Sequence, residues 1–472
     1  MISAGSHSWM EPSLGAQSDA LRKGLGRAYQ WAHAGLLSQE LLLRECLQSH
    51  RHDMLFGESK GEWLFGLVER IGAESALRER LLPALEQLSD EVDYPRLCDL
   101  GGCLARLGDD ALRKILYEIV ERKPIEHCPW LGEKEIIALD GESGFRFALE
   151  ARIKRFGAEG WIWDGQDLME CGLTQLGENT VTRVCACLEL GSGYYFDEFN
   201  QVARWNEESP FPSPQRSANR EAAACKRLTP TELLDIAEFE GLFSLLHQWG
   251  KEATHDELEV IQSVLFTTNR PVMQANLLAV FSGRALATFD ERLIERCRHR
   301  EPRVREMAFR ALENNGHPLV GQFAREGWRQ CPNDCRYLRL FIKNFQPGDE
   351  DQIRDLPDGA NDWGIERHCQ AILEILENHP GYHCFELGLP VYAAAPCEAL
   401  RFRAASLLQR MNLAPKWLWD ECRFDSNRSC RIMAQTHADS ARKSRITIGI
   451  TTDKHSGKIP IGPEVGLRGY AV

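Results

Sequence analysis

Arginine is concentrated in residues 292–343, where twelve Lys and Arg residues stand against six Asp and Glu residues. The whole chain carries a formal net charge of −13, so this stretch predicts a basic surface on an acidic protein. Guanidinium groups bind carboxylates and phosphates, so the surface could bind an acidic protein segment, a phosphate or nucleic acid. The residues that we predict to form this basic face are Arg292, Arg296, Arg298, Arg300, Arg303, Arg305, Arg325, Arg329, Arg336 and Arg339. Alternatively, the same arginines are solvated helix faces, some of them contacting neighbouring repeats.

Nucleic acid is the less favoured ligand of this basic face. The acidic balance of the chain disfavours non-specific binding to a phosphate backbone or to an anionic membrane. Few aromatic residues, Trp328 and Tyr337 among them, lie between the arginines, whereas single-stranded nucleic acid stacks its bases on aromatic rings. We therefore expect a protein partner with an acidic segment, and no membrane.

Cysteine and histidine spacings predict no metal site and no cofactor. Close pairs occur at Cys331-x-x-x-Cys335 and Cys185-x-Cys187, and neither is followed by a second pair at zinc-site spacing. The other residues that we considered as ligands, and that we interpret as surface groups or buried thiols, are His50, His52, Asp53, His368, Cys369, His383 and Cys384.

Motifs for nucleophilic catalysis and phosphate transfer are also missing from the sequence. Neither G-x-S-x-G nor a P-loop occurs. The pair Gly24-x-Gly26 lies inside an amphipathic helical pattern rather than after a strand, and His127-Cys128 is followed by Pro129. We predict no catalytic residue and leave the question of an enzyme open, favouring a non-enzyme.

Composition predicts a soluble, cytoplasmic protein. The sixteen Cys residues are scattered singly, which is typical of reduced thiols that pack as small apolar groups. Residues 1–15 lack the basic and apolar regions of a signal peptide. No apolar run approaches the ~18 residues that a membrane-spanning helix needs.

The sequence pattern predicts helices almost throughout the chain, and these helices would position the charged residues. Leu21, Leu25, Ala28 and Ala32 fall on one face of a single predicted helix that Gly35 ends. Further helices are predicted near residues 94–107, 109–121, 133–139 and 143–156. The short connections between them make neighbouring helices antiparallel.

The pattern divides the chain into five segments. They are a flexible N-terminal tail (1–17), a helical-hairpin block (18–206), a Pro- and Ser-rich linker or loop (207–220), a block of helical repeats (221–439) and a β-hairpin or disordered tail (440–472). Trp161, Trp163 and the aromatic residues of 194–199 are predicted to pack the junction of the two blocks, or else to form a partner pocket. The C-terminal tail could also add a strand to another protein's sheet.

A self-similar pattern recurs in the second block. Pro302–Leu312 carries the string P-x-V-R-x-x-A-x-x-A-L, and related apolar positions occur about 32 residues earlier, in 272–280. Arg305 recurs three periods later as Arg401, and a more degenerate copy contains Arg431. The small alanines allow two helices to approach closely, and an arginine at the helix start can reach acceptors in the turn between repeats.

This string resembles the helix of a HEAT repeat. Its period of about 32 residues is similar to the short bacterial type, including the lyase-type HEAT-like repeats. The resemblance implies an all-α chain folded as an α-solenoid of antiparallel helical hairpins, an armadillo-like superhelix with a concave face. It also implies a scaffold that binds a partner without catalysis. The alternative is a HEAT-fold enzyme that acts on nucleic acid or a cofactor, similar to DNA glycosylases or bilin lyases.

Overall fold

The computed structural model describes residues 11–48, 60–87, 94–122, 131–160, 166–188, 228–354, 362–380 and 385–452. Every regular element in these ranges is a helix, and none of their residues lies in a strand. The prediction of an all-α chain is therefore confirmed for this part of the molecule. Among the same residues, no helix combines the length and the apolar character that a membrane crossing requires.

Some helices of the N-terminal block begin or end at residues with recognisable capping chemistry. Their bounds are α1 (Leu14–Lys23), α2 (Arg27–His33), α3 (Gln39–Leu47), α4 (Gly61–Ile71), α5 (Glu74–Glu86), α6 (Tyr94–Arg106), α7 (Asp110–Glu121), α8 (Glu133–Asp140), α9 (Glu142–Gly160), α10 (Gln166–Leu176) and α11 (Glu178–Cys187). Asp109 caps α7, because its Oδ1 accepts hydrogen bonds from the backbone amides of Ala111 and Leu112. Gly72 ends α4 in the left-handed conformation.

The second block uses the same local chemistry. Its helices are α12 (Pro230–Ile236), α13 (Phe243–Glu252), α14 (His255–Leu265), α15 (Pro271–Val280), α16 (Arg292–Arg296), α17 (Pro302–Leu312), α18 (Pro318–Gln330), α19 (Cys335–Arg339), α20 (Phe341–Asn344), α21 (Glu350–Ile353), α22 (Asp362–Asn378), α23 (Phe385–Ala394), α24 (Glu398–Arg410), α25 (Lys416–Cys422) and α26 (Arg428–Thr452), with a 3₁₀ turn at Phe281–Gly283. Thr229 and Glu232 form a capping box before α12. Pro302 fits the first turn of α17, where no backbone N–H is needed.

The helices pack in rows, and each helix contacts the next member of its row, which usually lies two helices later in the chain. In the N-terminal block one row runs through α2, α4, α6, α8 and α10, and the other runs through α1, α3, α5, α7, α9 and α11. In the second block a row runs through α13, α15, α17, α19, α22, α24 and α26. Amphipathic stripes cause this arrangement, since α7, for example, buries Leu112, Leu116 and Ile119 on one side.

Helix α17, which carries the repeat string, packs on both of its row neighbours. Ala308 and Ala311 are fully buried, so α15 can approach closely. The Nη1 atom of Arg305 donates to the carbonyl of His299 at 2.9 Å, six residues back in the preceding turn. Arg431 makes the equivalent bond to the carbonyl of Asp425 at 2.7 Å. The predicted contact between these arginines and the turns is therefore confirmed at both positions.

The two blocks contact each other through the first helices and the last hairpin. Arg27 Nε donates to Glu421 Oε1 at 2.7 Å, and the backbone amide of Ser426 donates to the carbonyl of Gly24 at 2.8 Å. The indole Nε1 of Trp63 donates to the carbonyl of Phe424 at 2.7 Å. The N-terminal end of the first block thus lies against the C-terminal end of the second.

Gly24 and Gly26 make this contact possible, and the prediction of one continuous helix across them was wrong. Gly24 has a φ of 76° and ends α1, so α2 starts again at Arg27. A Cβ at Gly26 would lie 1.9 Å from the carbonyl oxygen of Glu421. The backbone of the last hairpin approaches closely at these two glycines. The helical spacing of Leu21 and Leu25 did not indicate this approach.

The chain ends also differ from the prediction. Helix α1 begins at Leu14, capped by Ser13, inside the segment 1–17 that we predicted as a tail. Helix α26 continues to Thr452, so residues 440–452 are helical where we predicted a β-hairpin or disorder. Several predictions lie outside the described residues: the linker at 207–220, the tail at 453–472, Trp161, Trp163, the aromatics of 194–199, His50, His52, Asp53, His127, Cys128, His383 and Cys384.

Candidate anion-binding pocket

Most arginines of the predicted basic face already have acceptors. Arg292 pairs with Asp290 and Arg336 with Asp334, both at 2.6 Å, in local turns of the same form. The longer-range contacts, in order along the chain, are Arg303 with Glu240 at 4.0 Å, Arg305 with the carbonyl of His299 at 2.9 Å, Arg325 with Asp349 at 2.7 Å and Arg339 with Glu313 at 2.8 Å. These pairs neutralise much of the positive charge that the sequence places in this stretch.

The other four predicted arginines do not converge on one place. Arg298 lies over the ring of Phe323, with its Cζ atom 5.5 Å from the ring centroid. Arg300 and Arg329 are exposed and form no hydrogen bond or ion pair within the described ranges. Arg296 is half-buried, and its Nε atom has no hydrogen-bond partner there.

Two of the predicted arginines instead meet two others in a pocket. The pocket has a volume of about 310 Å³ and is lined by Phe243, His247, Ser282, Glu306, Phe309, Arg310, Glu313, Arg336, Arg339, Arg367 and Gln370. These residues come from α13, from the 3₁₀ turn, and from α17 with the residue after it, α19 and α22, which are three successive members of the row. Sequence reasoning missed Arg310 and Arg367 as site residues.

The helical spacing of the sequence does contain a signal for Arg310 and Arg367. Glu306, Arg310 and Glu313 are spaced i, i+4 and i+7, so they lie on one face of α17. Arg367 and Gln370 are three residues apart on α22 in the same way. Only the packing of α17, α19 and α22 against one another shows that these faces border one cavity.

Ion pairs hold part of the pocket wall in place. Arg339 bridges Glu313 at 2.8 Å and Glu374 at 3.4 Å, and Arg310 Nε lies 3.3 Å from Glu306 Oε1. Burial raises the pKa of Glu313, and the hydrogen bond from Arg339 opposes this shift. The lining itself contains four guanidinium groups and two carboxylates, and Asp334 and Glu374 pair with Arg336 and Arg339 from outside it.

Two aromatic rings orient the guanidinium groups. The Cζ atom of Arg336 lies 4.9 Å from the ring centroid of Phe309, and that of Arg310 lies 5.3 Å from the centroid of Phe243. Cation–π contact of this kind restricts a guanidinium group while leaving its N–H donors available to an anion. Arg367 is exposed and forms no hydrogen bond or ion pair among the described residues.

His247 and Ser282 form a pair that resembles a base and a nucleophile, with 2.7 Å between Nδ1 and Oγ. The Ser282 hydroxyl donates to the carbonyl of Ala279 at 2.6 Å, so its oxygen accepts from His247 Nδ1–H. Burial lowers the pKa of His247, and the positive charges of Lys251 and Arg310 lower it further. Because the serine proton is already donated to a carbonyl, this arrangement supports binding rather than nucleophilic attack.

The cysteine pairs that we considered in the sequence are split between surface and core. Cys331 is exposed while Cys335 is buried, and Cys187 is exposed while Cys185 is buried. No group of three or more His, Cys, Asp and Glu side chains suited to a metal ion occurs within the described part of the chain. Cys369 and His368 are both buried in α22.

Comparison of the chain with protein-family models, with curated proteins and with solved structures found no match. The arginine-rich lining of the pocket, with aromatic rings beside two of the guanidinium groups, favours carboxylate or phosphate groups as ligands.

Proposed function

We propose that the chain is a HEAT-like helical-repeat protein that binds an acidic segment of a partner protein at the arginine pocket, without catalysis. The observation that carries the proposal is the convergence of Arg310, Arg336, Arg339 and Arg367 from three successive row helices on one cavity. Hydrogen bonds to charged groups contribute about 1.5–3 kcal/mol each. Several acidic side chains bound in this way could supply a specific interaction.

The row packing supports the HEAT-like part of this proposal. Each row helix contacts the neighbouring members of its row, which usually lie two helices away in the chain; this arrangement is expected when repeated hairpins stack into a solenoid. The string in Pro302–Leu312 lies on a row helix, and its Arg305 bonds the preceding turn. In such a superhelix the pocket would lie on a face shared by successive repeats.

Local geometry suggests which arginines contact the partner. Arg336 and Arg339 already bond Asp334 and Glu313, so much of their charge is neutralised and they mainly form the wall of the pocket. Arg367 has no partner among the described residues, and Arg310 has only a 3.3 Å pair with a neighbour on its own helix. A surface ion pair within a helix contributes only about 0.3–0.5 kcal/mol, so an incoming carboxylate can replace it.

We place this activity in the cytoplasm. The described cysteines are all free thiols, most of them buried, which supports a reducing compartment. A protein scaffold there meets many partners, and the acidic net charge of −13 limits non-specific contact with nucleic acid.

The test is affinity purification of the full chain from its host, followed by mass spectrometry. The double variant Arg310→Glu/Arg367→Glu should lose a stoichiometric acidic partner that the wild type retains. The matched control, Arg300→Glu/Arg329→Glu, makes the same charge change at exposed arginines outside the pocket and should keep the partner.

Two outcomes would contradict the proposal. If both double variants keep the partner, the pocket does not bind it. If the wild type purifies without a protein partner but with bound nucleic acid or a coloured cofactor, the HEAT-fold enzyme becomes the better hypothesis. The ratio of absorbance at 260 and 280 nm distinguishes bound nucleic acid from a clean protein.

A further inference from the structure

His247 occupies a fixed position in the lining of the arginine pocket. Its ring stacks on that of Phe243, one helical turn earlier in α13, with 5.6 Å between the two centroids. Its Nδ1 atom lies 2.7 Å from Ser282 Oγ. The ring also needs the glycine at position 283, because a Cβ on Gly283 would lie only 2.8 Å from Cε1 of His247. Three separate contacts therefore hold this imidazole in the pocket.

The hydrogen bond to Ser282 decides which ring nitrogen carries the proton. Because the Ser282 hydroxyl donates to the carbonyl of Ala279 at 2.6 Å, the neutral imidazole has its proton on Nδ1. Its Nε2 atom then has a lone pair and forms no hydrogen bond among the described residues. A second proton on the ring would convert Nε2 from an acceptor into a charged donor.

The charges around His247 keep the imidazole neutral while the pocket is empty. Burial lowers the pKa of His247, and the positive charges of Lys251, on the same helix, and of Arg310 lower it further. Helix α15 and the 3₁₀ turn, which pack on α13, contribute no titratable side chain. The remaining charged groups of the lining come from α17 with the residue after it, α19 and α22, and are Glu306, Glu313, Arg336, Arg339 and Arg367.

An acidic group that enters the pocket changes this balance of charge. The four guanidinium groups of the lining are matched in number by four carboxylates, two in the lining and two that pair with Arg336 and Arg339 from outside it. An added carboxylate therefore brings a negative charge that the arginines alone do not neutralise. A negative charge close to a histidine favours the imidazolium form, so the incoming group and a proton on His247 stabilise each other.

We propose that the arginine pocket binds an acidic side chain of the partner together with one proton, which His247 takes up, so that binding strengthens as the pH falls. This regulation rests on the proposed function of the pocket and does not arise without it. The proton comes from solvent and adds to Nε2, which then donates to the bound carboxylate. Nδ1 keeps its hydrogen bond to Ser282.

Glu313 is the other group of the lining that could take up the proton. Burial raises the pKa of Glu313, and its hydrogen bond with Arg339 opposes this shift. Protonation of Glu313 would weaken its 2.8 Å ion pair with Arg339, whereas protonation of His247 breaks no contact and adds a donor to the pocket. We therefore assign the proton to His247, and substitution of His247 tests the assignment.

The test is isothermal titration calorimetry of the full chain with an acetylated and amidated hexa-aspartate peptide. Titrations between pH 8 and pH 6 keep the peptide carboxylates ionised, and two buffers of different ionisation enthalpy count the protons taken up. We expect net proton uptake and an association constant that rises at least about threefold from pH 8 to pH 6. The matched hexa-asparagine peptide, which carries no charge, should not bind.

Variants locate the proton and separate it from the general effect of pH on surface charge. His247→Gln should abolish the proton uptake and the rise in affinity at pH 6. Its amide can still donate to Ser282, so the variant should fold, and thermal unfolding by circular dichroism checks this. The control His255→Gln removes an exposed imidazole of α14 outside the pocket and should retain both effects. Arg310→Glu/Arg367→Glu should lose binding at every pH, as the proposed function requires.

Nuclear magnetic resonance of the wild type gives a second measurement that does not need an active variant. With histidine isotope-labelled at Cε1, the pKa of each imidazole is followed with and without the hexa-aspartate peptide. The resonance of His247 is identified by its absence from His247→Gln or, should that variant not fold, from His247→Asn. The pKa of His247 should be higher in the presence of the peptide.

Three results would overturn the inference. An association constant that does not rise on acidification would show that no proton is linked to binding. Proton uptake that persists in folded His247→Gln would place the proton on Glu313 or another group. Both of these results leave the proposed function standing if the arginine double variant loses binding. Absence of hexa-aspartate binding at every pH would also overturn the inference, and the affinity purification would then decide the proposed function separately.

Discussion

Buried His368 should make the second block unstable at mildly acidic pH. The side chain lies in α22, is 1% exposed and packs at 5.6 Å against the ring of Trp328. Neither of its ring nitrogens forms a well-aligned hydrogen bond among the described residues, although a weaker interaction with the backbone of Ile353 raises the pKa of His368 against the effect of burial. Burial lowers the pKa of His368 to about 4, because the charged imidazolium would lose its hydration.

The sign and size of the effect follow from proton linkage. An unfolded histidine has a pKa of about 6.5, so below that pH the unfolded state takes up a proton that the native His368 does not. Stability from this group is therefore complete above pH 6.5 and is lost as the pH falls toward 4. Between pH 7.5 and pH 5 the expected loss is about 2 kcal/mol, or about a thirtyfold rise in the opening equilibrium constant.

The perturbation is His368→Leu, which fills a similar volume with a group that cannot be protonated. Amide hydrogen exchange of α22, followed by mass spectrometry and corrected for intrinsic rates, reports the local opening free energy. Between pH 7.5 and pH 5 the opening free energy of the wild type should fall by about 2 kcal/mol more than that of the variant. The control Ile372→Val, in the same helix, should cost about 0.5–1.5 kcal/mol equally at both pH values.

Parallel pH curves for the wild type and His368→Leu would refute this reasoning. They would mean that the imidazole is protonated in the native state at pH 5, and hence that it has a polar partner or access to water. A wild type that becomes more stable on acidification, relative to the variant, would reverse the sign and point to a nearby carboxylate.

Two further predictions concern the last hairpin of the second block, where it contacts the first block and where it contacts α24. Gly26→Ala should destabilise the contact between the blocks by about 1–3 kcal/mol, because the new Cβ would lie 1.9 Å from the carbonyl oxygen of Glu421. Reduced hydrogen-exchange protection of α25 measures this loss. The control Gly15→Ala, whose new Cβ would lie 3.9 Å from its nearest atom, should not reduce the protection, and equal effects of the two variants would contradict the contact. Asp425→Asn should cost about 3–5 kcal/mol, because it removes the negative charge that lies 2.9 Å from fully buried Arg401. Thermal unfolding followed by circular dichroism measures the loss, and a decrease of less than about 1 kcal/mol in the free energy of unfolding would refute the prediction.

Local pattern was sufficient for many of the helices. The predicted helices at 94–107 and 109–121 correspond to Tyr94–Arg106 and Asp110–Glu121. Such elements need only an apolar stripe, a capping side chain such as Asp109 and a breaking residue at the end, all of which are adjacent in sequence.

Contacts between distant residues were beyond that reasoning. The stretch around Gly24 has an uninterrupted helical pattern, and yet the chain turns there because residues of the last hairpin pack against it. The prediction for residues 440–452 was also wrong. Their alternating Ile and Thr residues favour a strand, whereas α26 continues through them to Thr452. Residue type sets a preference of a few tenths of a kcal/mol, which continuation of an existing helix can outweigh.

The candidate pocket was found only in part from the sequence. Charge counting located a basic region and nominated Arg336 and Arg339, which the pocket contains. It could not show that Asp349, 24 residues away, neutralises Arg325. It also could not show that Arg367 completes the pocket, because that arginine lies outside the basic run.

The sequence by itself determined the helical class, most of the local boundaries and an unusually arginine-rich stretch. These properties depend on neighbours within one or two helical turns, where periodicity and capping can be read directly. Only the tertiary structure decided which arginines are neutralised and which converge on a cavity. Those outcomes depend on how separate helices pack, since the energy of a charge is set by the groups that surround it in space.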